Sequence, residues 1–193
     1  MRTGRRSFIL AAAASVARPA FADSGPPRTL IEFLLTMKRV AEQGALLDPA
    51  FYDEANLKRL FAARAVSFGR QLEGYRLFGN VSGFGVLVEP VKVAGVAREG
   101  MTLDFSLMAE PSFGRLQLTF LRPSIPFGEI EWTFGKRWDL AAYPTRPDGS
   151  LPVAERAHGN TAIHYSLSES AGRWMEFAFN PRALVESASV GVR

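Results

Sequence analysis

The side chains best suited to proton transfer near neutral pH are the two histidines, His158 and His164. His164 lies in Thr161–Ser168, whose alternating pattern predicts a hairpin with Arg173–Phe179. The apolar positions of both strands then place His164 and Glu176 on one face, directly opposite or one diagonal step apart. Such a pair could act as a general base and its orienting acid, but charged cross-strand pairs are also routine on solvated sheets.

His158 belongs to a segment with little periodicity, Asp139–Asn160, which contains three prolines, Pro144, Pro147 and Pro152. Connections of this length without regular structure are uncommon and often form binding loops or lids. A rigid strap packed over the core is the equal alternative. If the protein is an enzyme, its candidate catalytic residues are therefore His164, His158, Glu176 and Asp139, and the reaction is a hydrolysis or an isomerisation.

Other chemistries find little support in the sequence. The chain has no cysteine, which excludes disulfides, thiolate nucleophiles and cysteine-based zinc sites. There is no His-x-His, no His-Glu-x-x-His and no Gly-x-Ser-x-Gly motif. A metal site would need His158, His164 and a distant carboxylate such as Asp104, which is a loose spacing. We therefore expect no metal and no cofactor.

An arginine–tryptophan dipeptide occurs twice, as Arg137-Trp138 and Arg173-Trp174. Arginine and tryptophan together can stack on a ligand or on a partner protein. Trp174, Arg173, Trp138 and Arg137 are therefore the candidate binding residues. Phenylalanine is also abundant, with 15 residues, and an aromatic-rich sheet could line a cavity for a small apolar ligand, although phenylalanine at period two is usually core.

The net charge of +4 comes from the N-terminus. The first 22 residues contain four arginines and no carboxylate, and the remaining chain has equal numbers of basic and acidic residues. Binding to nucleic acid depends on an excess of Lys and Arg that neutralises phosphates. The balanced charge therefore excludes this class of partner.

Residues 1–22 have the three parts of a secretory signal peptide. The apolar stretch Phe8–Ala17 is about half the length of a spanning helix, which needs about 20 residues. Arg5 and Arg6 resemble the paired arginines of twin-arginine signals, and an ordinary Sec signal remains the alternative. We expect cleavage between Ala22 and Asp23. The prediction is a bacterial protein that the export machinery delivers to the periplasm or medium, with no membrane anchor in its mature form.

After a flexible leader, residues 23–28, the pattern predicts one α+β domain over residues 29–193, with N-terminal helices packed on a curved antiparallel sheet. Thr29 and Glu32 form a capping box, Gly44 ends the first helix, and Asp48-Pro49 opens a second, broken helix. A short helix ends at Gly135. The remaining strand-like segments are Tyr75–Ser82, Phe84–Val93, Met101–Met108, Arg115–Leu121 and Ala183–Val190.

Two hypotheses from different classes follow. The first is an exported, non-enzymatic module of the bacterial cell envelope that binds a small apolar ligand or a protein partner. The second is a small periplasmic hydrolase or isomerase that uses a histidine–carboxylate pair. A pocket containing both His164 and Glu176 would favour the enzyme, and an open sheet would favour the module. The residues identify no protein family.

Overall fold

The computed structural model describes residues 25–70, 73–85, 101–109, 112–141 and 157–193. In these ranges the chain forms three α-helices and one antiparallel sheet of eight strands, which confirms the α+β class. The predicted signal peptide, the predicted strand beyond residue 85 and the proline-rich centre of Asp139–Asn160 lie outside the described residues.

The first helix, α1 (Leu30–Glu42), begins at the predicted capping box. The backbone N–H of Glu32 donates to Thr29 Oγ1 at 3.2 Å, and the backbone N–H of Thr29 donates to Glu32 Oε2 at 3.3 Å. Its apolar stripe is buried, and Phe33, Leu34 and Met37 are wholly inaccessible to solvent. Gly44 has a left-handed φ of 70°, so the chain turns there as predicted.

Two aspartates organise the broken second helix. Asp48 accepts a hydrogen bond from the backbone N–H of Ala50 and caps a 3-10 turn over Pro49–Tyr52. Asp53 then accepts from the N–H groups of Ala55 and Asn56 and begins α2 (Glu54–Phe61). The predicted break therefore lies at Asp53, where the chain leaves one helix and caps the next.

The sheet consists of two meanders of four strands each. The first contains β1 (Ala65–Phe68), β2 (Tyr75–Ser82), β3 (Met101–Met108) and β4 (Phe113–Phe120). The second contains β5 (Asp139–Leu140), β6 (Ala162–Ser168), β7 (Arg173–Phe179) and β8 (Val185–Val192). The strand order is β1-β2-β3-β4-β8-β7-β6-β5, so the meanders meet where β4 pairs with β8.

Alternation divides the sheet into a core face and an open face. Leu116, Leu118 and their partners Val190 and Ala188 are buried on the core face, where they join the helices in one cluster of buried side chains. The opposite side, which we call the open face, carries residues such as Gln117 and Glu176. No helix in the described ranges packs on the open face.

The third helix, α3 (Phe127–Phe134), follows β4 and precedes β5 in the chain, and it ends at Gly135 as predicted. It packs on the core face through Phe134, whose ring centroid is 5.1 Å from that of Phe177. The sequence pattern predicts that N-terminal helices cover the sheet. That prediction is incomplete, because α3 follows four of the strands and still contributes to the core.

Two short edge strands were not predicted. β1 has four residues, of which only Val66 is partly buried, so it shows no alternation of buried and exposed positions. β5 contains two exposed residues at the start of Asp139–Asn160, which had been predicted to lack regular structure throughout. Both strands form through pairing with a longer neighbour, β2 for β1 and β6 for β5.

Candidate functional site

The hairpin of β6 and β7 places His164 directly opposite Glu176. Ile163 and Tyr165, which flank His164, are buried on the core face, so His164 and its partner lie on the open face. Tyr165 also fixes the hairpin to the end of α3, because its hydroxyl donates to the carbonyl of Gly135 at 2.9 Å. The register predicted from the apolar pattern is therefore the one that forms.

Asp139 joins this pair from the other side. β5 pairs with β6 so that Asp139 is the register partner of His164, which leaves the histidine between two carboxylate residues. Among the described residues, no side-chain hydrogen bond or ion pair connects His164 to Glu176 or to Asp139, although the backbones of these residues pair in the sheet. The structure thus brings three of the four catalytic candidates to neighbouring positions, without the orienting contact that a general base requires.

Trp174 lies beside His164 and covers the backbone of β8. Its register partner is Gly191, and a Cβ at Gly191 would lie 2.4 Å from Trp174 Cζ2, inside the van der Waals contact distance. The indole can lie against the sheet only because residue 191 is glycine. The His164 ring is stacked with the indole at a centroid distance of 6.0 Å and an interplanar angle of 26°.

Arg115 approaches Trp174 from the other meander. Its guanidinium carbon lies 6.0 Å from the indole centroid, at the outer limit of a cation–π contact, and its Nη2 donates to Ser189 Oγ at 3.1 Å. Arg115 Nε and Trp174 Nε1 are buried and have no hydrogen-bond partner among the described residues. Unpaired buried N–H groups cost stability, and such costs are expected where function selects the residues.

These residues surround a groove on the open face with a volume of about 480 Å³. Its lining combines one indole with arginines, glutamates, a histidine and hydroxyl groups, so it is amphipathic. The lining residues are Phe113, Arg115, His164, Ser166, Ser168, Glu169, Gly172, Arg173, Trp174, Glu176 and Arg193.

A continuous row of polar residues crosses the open face and passes through the groove. Each of the eight strands contributes one residue, and each residue is the register partner of the next. We call this set the polar row; it consists of Ser67, Asn80, Asp104, Gln117, Ser189, Glu176, His164 and Asp139. On β3 and β4, the residues that alternate with the polar row face the other side of the sheet and are buried.

The other candidate residues lie elsewhere. His158 stacks on Phe127 at a centroid distance of 4.2 Å, and Phe127 packs on Phe179 of the core face. Trp138 lies in the same aromatic group and donates from Nε1 to Glu131 Oε1 at 3.0 Å. The two arginine–tryptophan dipeptides therefore do not form one site.

The two arginines of those dipeptides also differ from each other. Arg137 is exposed. Arg173 lines the groove, but its Nη1 donates to the carbonyl of Glu42 at the end of α1. It therefore connects the hairpin to a helix C-terminus, where a positive charge is favourable.

The two histidines do not come together in one metal site. His164 is on the open face, whereas His158 is associated with the aromatic residues of the core face. Among the described residues, no group of three or more His, Asp or Glu side chains could hold a metal ion. Asp104 lies in the polar row, but it does not join the two histidines in one ligand set.

Trp174, His164 and Glu176, which are candidates from the sequence, lie together at the groove, and their neighbours Arg115, Ser189 and Gly191 are not among the sequence candidates. Arg115 and Ser189 are 74 positions apart, and only the pairing of β4 with β8 brings them together. The available signal was weak: a basic residue on the polar side of an alternating strand, and a glycine inside another.

The comparisons with known proteins leave the function to be argued from the site. The chain matches no protein-family model, no curated protein and no solved structure. Within the described ranges, the helices are too short or too polar to cross a membrane.

Proposed function

We propose that this protein is an exported, non-enzymatic module of the bacterial cell envelope that binds a small ligand or a protein partner at the groove of the open face. One observation carries the proposal: the half-buried indole of Trp174 lies over Gly191 between Arg115 and His164. An aromatic surface with charged groups at its border is suited to binding, because it combines apolar contact with directional hydrogen bonds.

The lining favours one kind of ligand within this proposal. A purely apolar molecule would displace water from Arg115 and Glu176 and would offer them no hydrogen bonds in return, which is unfavourable. A ligand with polar groups next to an apolar surface would contact the indole and the charged groups together. We further propose that α1 and α2, together with α3, cover one face of a curved sheet, so that the open face is the binding side.

Native mass spectrometry of the protein from its exporting host tests the binding. We expect an added mass that disappears on denaturation, is lost in Trp174→Ala and is retained in Trp132→Ala. Trp132 is the matched control, because it is also a tryptophan but lies on α3 and is 90% exposed. An added mass that Trp174→Ala retains would contradict ligand binding at this groove, and so would a wild-type protein that shows no added mass and binds no added ligand in a Trp174-dependent way.

Export is tested separately by cell fractionation and intact mass. The apolar stretch and the Ala20-Phe21-Ala22 site support a mature chain that begins at Asp23. We expect this mass in the periplasm or medium. If the twin-arginine route is used, replacing Arg5 and Arg6 with lysine should retain the full-length chain in the cytoplasm. A wild-type chain with Met1, found only in the cytoplasm, would overturn the proposal.

A second function, hydrolysis or isomerisation, is supported by the position of His164 between Glu176 and Asp139. Both His164 and Glu176 also line the groove, as an enzyme site would require. The groove is open to solvent, however, and no side-chain hydrogen bond aligns the pair, so binding without catalysis is the first proposal. Activity on p-nitrophenyl esters should then fall about 100-fold in His164→Gln and in Glu176→Gln, the range expected for general acid–base groups. His158→Gln is the matched control and should keep its rate. Equal rates in all these variants would exclude the pair as ester-hydrolysis groups.

A further inference from the structure

The open face is rich in neutral hydrogen-bonding groups. The polar row contains serines and amides in addition to its three carboxylates and one histidine. Seven of its members are exposed or half-buried, whereas Ser189 is buried beneath Arg115 and accepts its hydrogen bond, so a ligand would contact the row on either side of Ser189.

On one side of the polar row lies a row of hydroxyl residues, in which Thr102 pairs with Thr119 and Thr119 with Ser187. On the other side lie Arg115 and Trp174. Neutral and charged hydrogen-bonding groups therefore border the indole of Trp174.

The polar row is also longer than a small molecule. Neighbouring strands are 4.7–4.9 Å apart, so eight positions span about 34 Å across the sheet. The groove, with about 480 Å³, occupies only the part of this length between β4 and β6. A ligand that used the whole face would be a chain that crosses the strands.

Three classes of chain molecule fit this face poorly. A nucleic acid requires a basic surface, but the polar row has carboxylates on β3, β5 and β7 and no lysine or arginine. A lipid acyl chain requires an apolar lining. An extended peptide that adds a strand pairs with a sheet edge rather than with its face.

A saccharide chain has the complementary chemistry. Each sugar ring has an apolar C–H face, which can lie on an indole, and a rim of hydroxyls that donate and accept hydrogen bonds. We infer that the open face binds a saccharide chain, with one ring on Trp174 and the following rings along the polar row. This inference rests on the proposed function, because it names the ligand class of the same groove.

The first experiment measures binding of three soluble, uncharged probes to the full chain by calorimetry: N-acetylchitotetraose, cellotetraose and xylotetraose. At least one should bind, and Trp174→Ala should weaken its binding about ten-fold or more, which corresponds to about 1.4 kcal/mol of binding free energy. Trp174→Phe, which keeps an aromatic ring if Trp174→Ala does not fold, should show an intermediate loss. Trp132→Ala should bind within about two-fold of the wild type.

The second experiment tests the polar row with ligands of two lengths. Gln117→Ala should weaken binding of the tetrasaccharide several-fold. It should leave the affinity for the methyl glycoside of the same sugar unchanged, because only the longer ligand reaches beyond the indole. Equal effects on both ligands would contradict binding along the row.

The outcomes separate this inference from the proposed function. If none of the three tetrasaccharides binds, or if Trp132→Ala loses as much affinity as Trp174→Ala, the saccharide inference is wrong. If in that case native mass spectrometry still shows a different ligand that depends on Trp174, the proposed binding function stands alone. If no Trp174-dependent ligand of any class is found, both are wrong.

Discussion

Gly191 is the residue on which the position of the indole depends, because Trp174 occupies the space of a side chain at 191. Replacing Gly191 with alanine should displace the ring, reduce binding at the groove and lower the free energy of unfolding by about 1–3 kcal/mol, the usual cost of overpacking. Near-UV circular dichroism measures the displacement of the ring, native mass spectrometry measures the loss of binding, and urea unfolding measures the loss of stability.

Gly128→Ala is the matched control for that variant. A Cβ at Gly128 would meet nothing within 4 Å, and the residue lies inside α3. Alanine should therefore stabilise the protein by about 0.5–1 kcal/mol through helix propensity. A Gly191→Ala protein with unchanged stability and spectrum would show that the indole does not lie against β8.

Tyr165 makes the stability of the protein sensitive to alkaline pH. Burial, and to a smaller extent the charge of Glu131, raises the pKa of its hydroxyl from 10.0 to about 12. Because the folded state holds the proton more strongly, this contribution to stability is complete below pH 10 and is lost as the pH rises through about 12. The loss therefore falls in the window from pH 10 to pH 12.

Tyr165→Phe removes both this titration and the hydrogen bond to Gly135. At pH 7 the variant should be about 1 kcal/mol less stable than the wild type. The difference should shrink between pH 10 and pH 12, and urea unfolding across this range measures it. Burial also raises the pKa of Tyr52, but Tyr52 is present in both the wild type and Tyr165→Phe, so its effect cancels in the difference. A difference that stays constant with pH would contradict the assignment.

At the scale of elements, the start of α1 depends on the Thr29 capping box. Thr29→Ala should lower the free energy of unfolding by about 1 kcal/mol, because the N–H of Glu32 loses its acceptor. Thr36→Ala on the same helix is the control: its hydroxyl donates to a carbonyl within the helix, and alanine there should be neutral or slightly stabilising. Thermal unfolding compares them, and equal losses would show that the cap is unimportant.

The elements that could be predicted from the sequence carry their own local signal. The capping box, the left-handed turn at Gly44 and the alternation of β3 and β7 each involve residues that are close in sequence. β1 and β5 could not be found in this way, because an exposed edge strand of two to four residues has neither a buried face nor a turn of its own. Arg115 and Gly191 belong to the site only through pairing between distant strands.

At the scale of the whole molecule, the seam between β4 and β8 joins the two meanders. Leu118 lies there, wholly buried opposite Ala188. Leu118→Ala should lower the free energy of unfolding by about 2–5 kcal/mol. The protein should still unfold in a single transition, because the two meanders share one core. Leu121→Ala, just beyond β4 and 72% exposed, should change stability by less than about 0.5 kcal/mol. Two separate transitions in urea would show that the meanders unfold independently.

The sheet narrows towards both ends of its strand order, from eight residues in β4 and β8 to four in β1 and two in β5. An edge strand exposes unpaired N–H and C=O groups, and a long, flat edge is a template on which further copies can polymerise. In the described part of the chain, each edge offers too few of these groups to hold another strand. Short edges of this kind disfavour the edge-to-edge pairing from which fibrils grow. We therefore expect contacts between copies through the described part of the sheet to use side chains rather than backbone hydrogen bonds.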